Sequence, residues 1–152
     1  MFLEALKPFE RGENYNAQLL ENLYRQIMTK LVLTNIDKYN IYLAPEMVET
    51  EMQKGEFTLP PDYYLVPDLF LFRIVRTKDY VPANEPNFTL LFPEQRNYYS
   101  NFIEDKVGSM LARRAVYEMQ FNKRDRAKVF INKIKNDLPG YKLSPQLMKA
   151  IE

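Results

Sequence analysis

The residues of this chain best suited to chemistry are tyrosines. Tyr63-Tyr64 and Tyr98-Tyr99 are adjacent pairs, with Arg96 just before the second. A tyrosine offers an apolar ring face and a hydroxyl, a combination that suits a sugar ring or an extended peptide. The same pairs also fit a plainer role, with one ring in the core and its neighbour on the surface. The commoner catalytic tools are missing. The 152 residues include no histidine and no cysteine, which removes the usual general base, the usual metal ligand and the thiol nucleophile together.

Acids offer no obvious constellation. Glu46, Glu49 and Glu51 share a predicted helix, and Glu104-Asp105 are neighbours, but such spacing does not bring two carboxylates together across a cleft, as glycoside hydrolysis requires. No glycine-rich phosphate loop and no Gly-x-Ser-x-Gly elbow is present. We therefore expect no catalytic residue, no cofactor and no metal. An enzyme working through carboxylates alone is the remaining catalytic alternative. Asn87-Phe88-Thr89 matches a glycosylation sequon by pattern only. Arg113, Arg114, Lys123, Arg124, Arg126 and Lys128 form a basic stretch. It suits lipid or nucleic-acid phosphates, or a solvated helix face partly offset by Glu118 and Asp125. The whole chain carries 21 basic and 20 acidic residues, net +1, which argues against a nucleic-acid partner.

These side chains need a scaffold, and the composition supports one. A hydrophobic fraction of 46% suffices for a core. With 4 glycines and 10 prolines, turns rely on proline. No apolar run approaches the roughly 20 residues of a membrane span, and the first residues lack the basic start and long apolar stretch of a signal peptide. A soluble chain is expected. Residues 1–13 read as a lead-in broken by Pro8 and Gly12. Helical spacing of Tyr15, Leu19, Leu23, Ile27 and Leu31 predicts a helix to Asn35, capped by Asn14 or Asn16. Ile41 to Ala44 reads as a short strand. Pro45 opens a second helix and Gly55 stops it. Tyr63 to Val66 and Leu69 to Val75 read as strands, with Pro67-Asp68 as the bend between them. Phe88 to Phe92 is an edge strand or a strap. From Asn97 onward the pattern is helical: Tyr98 to Met119, a turn at Gln120 to Lys123, a return helix Arg124 to Asn136, and a last helix opened by Ser144-Pro145.

This is an α+β architecture: a leading helix, a three- or four-stranded sheet with a crossover helix, then a helical hairpin. Residues 1–96 form the helix-plus-sheet region and 97–152 the hairpin and its capping helix, together one compact domain. Ala115, Ala127, Ile131, Ile134 and Pro139 have the spacing of a tetratricopeptide unit. The hairpin from Gly108 to Pro139 resembles that family, with Leu111, Arg114 and Glu118 standing where the family has tryptophan, leucine and tyrosine. An ordinary antiparallel helix pair is the equal alternative.

A wider resemblance rests on the strand ending in Ala44-Pro45, the Tyr-x-Leu-Val-Pro turn from Tyr63 to Pro67, the aromatic strand into Arg73, and the hairpin. Together they resemble the carboxy-terminal region of large bacterial multi-span membrane proteins similar to protein O-mannosyltransferases. That resemblance implies an extracytoplasmic accessory domain on the bacterial inner membrane, joined to it only through a transmembrane portion outside this chain. Its role would be non-catalytic, with a protein or glycan partner meeting Arg96, Tyr98, Tyr99, Tyr63 or Tyr64. The alternative is a free-standing helical-repeat adaptor for a protein partner.

Overall fold

The computed structural model describes residues 1–151. It is mixed α+β, with six α-helices and one three-stranded antiparallel sheet among the described residues. The lead-in is itself a helix, α1 (Phe2–Glu10). Pro8 lies in its last turn, so little more than the bond to the Glu4 carbonyl is lost. Gly12, at φ +68°, then ends the helix with its N–H on the Phe9 carbonyl. α2 (Ala17–Asn35) begins where Asn16 Oδ1 accepts the Leu19 N–H at 2.9 Å. Of its predicted apolar stripe, Leu23 is buried, while Leu19, Ile27 and Leu31 stay on the surface. The inner side of α2 is held instead by Val32 and by Arg25, which pairs with Glu21, Glu51 and Glu56.

The sheet has the order β1 (Tyr42–Leu43), β3 (Leu71–Val75), β2 (Tyr64–Asp68). α3 (Pro45–Met47), continued by a π-turn over Val48–Met52, carries the chain from β1 across to β2. Pro67-Asp68 is not the bend. Both residues belong to β2, and Asp68 pairs with Leu71 around a turn at Leu69-Phe70. β2 is an edge strand, and the Pro67 carbonyl accepts from the Arg114 side chain on the side away from β3. In an antiparallel strand a residue's N–H and C=O point the same way, so the missing N–H costs no ladder bond. The turn forces Leu69 to φ +54°, a region open mainly to glycine and asparagine.

Phe88 to Phe92 is a strap without ladder pairing. Phe88, Leu90 and Phe92 still alternate inward onto the helical core. α4 (Tyr98–Gln120) and α5 (Arg124–Asp137) form the hairpin, with Asn122 left-handed at φ +57° in the turn. Ala115, Leu111, Ala127, Phe130 and Ile131 are completely buried where the two helices meet. α6 (Pro145–Ile151) opens with the Ser144 hydroxyl accepting the Leu147 N–H at 3.2 Å. α4 serves both cores. Met110 packs with Val32, Leu43, Phe57 and Phe72 under the sheet, while Val107 and Leu111 face α5.

Candidate functional site

The first turn of α4 is set by a reciprocal cap. Asn97 Oδ1 accepts the Ser100 N–H and Ser100 Oγ accepts the Asn97 N–H, both at 2.9 Å. That cap turns Ser100, Glu104, Val107 and Gly108 inward. Helical periodicity then puts Tyr98, Tyr99, Phe102 and Ile103 on the opposite face. Tyr98 is 76% exposed and Tyr99 73%, and Phe102 and Ile103 remain nearly half exposed. The rings form a continuous set: Tyr98 meets Tyr99 edge-on at 5.6 Å and stacks on Phe102 at 6.3 Å. Phe102, Ile103 and Val107 then wall a groove of about 270 Å³, closed opposite by Pro45, Phe70 and Leu71.

Arg96 is placed differently from its tyrosine neighbours. Its guanidinium lies 3.8 Å from the Phe92 ring centroid and 3.0 Å from Glu104 Oε2. Glu104 is buried, and its other oxygen accepts the Gly140 N–H at 2.8 Å. Arg96 thus joins the strap to α4 and to the segment after α5, and its charge is already engaged. A side chain at Gly140 would run into the Glu104 carboxylate, so glycine is what lets this junction close.

Tyr63 and Tyr64 stand elsewhere. The Tyr63 hydroxyl donates to the Asp37 carboxylate, and Arg76 lies 5.5 Å from its ring centroid. Donation to Asp37, then burial, pushes the phenol above its ordinary range. Tyr63 lines an open basin of about 580 Å³ between the end of α2 and β3. Tyr64 opens β2 opposite Val75, with Lys78 Nζ 5.3 Å from its ring, and faces a cleft of about 300 Å³ beside Tyr117 and Phe121. Among the described residues no ring contact joins Tyr63 or Tyr64 to Tyr98 or Tyr99.

The basic stretch does not form one solvated face. Arg113 pairs with Glu49 at 2.7 Å, whereas Arg114 and Glu118 are both completely buried. Arg114 donates to Glu118 Oε1 (2.7 Å), to the Pro67 carbonyl (2.9 Å) and to the Val81 carbonyl (2.8 Å). Tyr117 accepts the Val81 N–H at 2.8 Å, and Arg126 donates to the Ala83 carbonyl at 2.6 Å. Burial, then the nearby Glu118 carboxylate, raises the Tyr80 phenol. This network fastens the strap and the sheet edge to α4, while Lys123, Arg124 and Lys128 of the same stretch stay exposed. A sequence signal for it existed: Arg114 and Glu118 fall on the stripe of Leu111 and Ala115, four residues apart with opposite charge.

Among the described residues no three acidic side chains converge as a cation site, and no helix is long and apolar enough to cross a membrane. No protein-family profile, curated protein or solved structure matches the chain.

Proposed function

We propose that this chain is a non-catalytic interaction domain that receives an extended polypeptide segment on the outer face of α4. The carrying observation is the unbroken run from Tyr98 and Tyr99 through Phe102 into the apolar groove. Exposed tyrosines flanking an apolar slot give a partner large contact area at low entropic cost, and aromatic anchors of this kind dominate binding energy. The surroundings favour peptide over glycan. The neighbouring cations Arg96 and Lys106 are held by Glu104 and Glu49, so few free polar groups remain to read sugar hydroxyls. Arg96 supports the site by positioning the start of α4.

In the setting implied by the resemblance to mannosyltransferase-like membrane proteins, the domain lies outside a bacterial inner membrane and presents polypeptide to the membrane-bound part. The second reading is a free-standing adaptor built on a tetratricopeptide-type unit. Ala115 and Ala127 support it, because small residues at the helix contact allow the close approach that such units need. Selection from a random displayed-peptide library tests the common core of both readings. Wild-type protein should enrich a related set of sequences, and protein carrying Tyr98→Ala and Tyr99→Ala should enrich none.

A further inference from the structure

The basin beside Tyr63 carries a charge pattern that the fold does not satisfy. Five arginines are at least partly buried: Arg25, Arg73, Arg96, Arg114 and Arg126. Four of them meet a carboxylate: Arg25 meets Glu21, Glu51 and Glu56, Arg96 meets Glu104, and Arg114 and Arg126 meet Glu118. Arg73, on the central strand β3, meets none among the described residues. Its Nη2 donates to Asn40 Oδ1 at 2.9 Å, and its Nε is closed from solvent without a hydrogen-bond partner. A partly desolvated guanidinium without a counter-charge is costly, and here it lines an open cavity.

The rest of the lining adds positive charge. Lys38 and Arg76 border the same basin, and Asp37 is its one acid. Asp37 Oδ1 takes both the Tyr63 hydroxyl and Arg76, the latter at 3.2 Å. Arg73 and Lys38 are left over. Asn40, Tyr39 and Thr77 supply polar groups around them.

We propose that this basin binds a small polar oxyanion, a carboxylate or phosphate, with Arg73 as the planar anchor and Lys38 as the second charge. Guanidinium suits both groups because its parallel N–H bonds match two oxygens of one anion. The volume, about 580 Å³, leaves room for a polar body around the charged group, in the ordinary range for small-molecule sites. This site does not depend on the aromatic face of α4, and either can fail without the other.

The test is calorimetric titration of the full chain with pyrophosphate and, separately, with citrate, at constant ionic strength. Saturable binding with one-to-one stoichiometry is expected for at least one probe. Preference for pyrophosphate assigns the phosphate class, and preference for citrate the carboxylate class. Arg73→Gln should weaken binding about tenfold or more, the loss expected when a charge-assisted pair is removed. Lys38→Gln, on an exposed turn where folding is not at stake, should weaken it severalfold and decides the matter if Arg73→Gln does not fold. Arg124→Gln, an exposed arginine at the start of α5, should bind like wild type. No saturable binding of either probe, or unchanged binding in folded Arg73→Gln or in Lys38→Gln, would overturn the proposal.

Discussion

Arg114 and Glu118, one helical turn apart on α4, form an ion pair of 2.7 Å with both side chains sealed from solvent. Such a pair contributes little over an apolar substitute, but removing one partner leaves a buried charge. Here Arg114 also satisfies the carbonyls of Pro67 and Val81. Arg114→Leu should therefore destabilise the chain by about 3–5 kcal/mol. The double variant Arg114→Leu, Glu118→Leu should recover part of that, but not all, because the two carbonyls still lack donors. Urea unfolding of the three proteins measures both steps. Full recovery in the double variant would mean that the strap and sheet edge do not need Arg114.

Gly108 packs its backbone against the Tyr141 ring, and a methyl group at that position would overlap the ring. In an open helix, alanine would gain about 1 kcal/mol over glycine. Gly108→Ala should instead cost about 1–3 kcal/mol through overpacking and loosen the segment leading to α6. Thermal melting gives the sign, and a stabilised variant would show that Tyr141 moves aside freely.

Ala127 is completely buried against Ala115 and Leu111, while its neighbour Lys128 is exposed. Ala127→Arg should cost several kcal/mol, on the order expected for overpacking together with charge burial. Lys128→Arg should be nearly neutral. Equal melting temperatures would contradict a tightly packed hairpin.

Burial raises the phenols of Tyr80 and Tyr141 above their ordinary value of 10.0, and Glu118 adds to the shift at Tyr80. Lys106 is raised above 10.5, chiefly by its hydrogen bond to Glu49. In each case the folded state holds its proton more tightly than the unfolded chain. The linked stability is fully present below about pH 10 and is lost as pH rises through the folded-state values. Urea midpoints should fall as pH rises above about 10, and Tyr141→Phe should shrink that fall without abolishing it. A pH-independent midpoint across this window would contradict the raised values.

Local signals carried most of the element boundaries. Asn16, Pro45 and Ser144-Pro145 start helices because capping chemistry depends only on near neighbours. Pro67 was misleading because its effect depends on which side of the strand its missing donor would face. That side is set by the register with β3, and the outward carbonyl is taken up by Arg114, 47 residues away. The two tyrosine pairs looked alike in sequence but lie at separate places, since only the fold decides that Tyr63 reaches Asp37 while Tyr98 reaches Phe102. The basin at Arg73 had no local signature at all. Its meaning lies in a carboxylate that never arrives.

In the proposed function, Tyr98 and Tyr99 anchor a polypeptide on α4. Its most direct test is the affinity of a peptide selected on the wild-type protein, titrated against three chains. The variant carrying Tyr98→Ala and Tyr99→Ala should bind at least about thirtyfold more weakly, the scale of a lost aromatic hot spot. Tyr24→Ala, which removes an exposed tyrosine on α2, should bind as wild type does. Equal affinity of the wild type and the double variant, with both folded, would mean that these tyrosines are not the anchor.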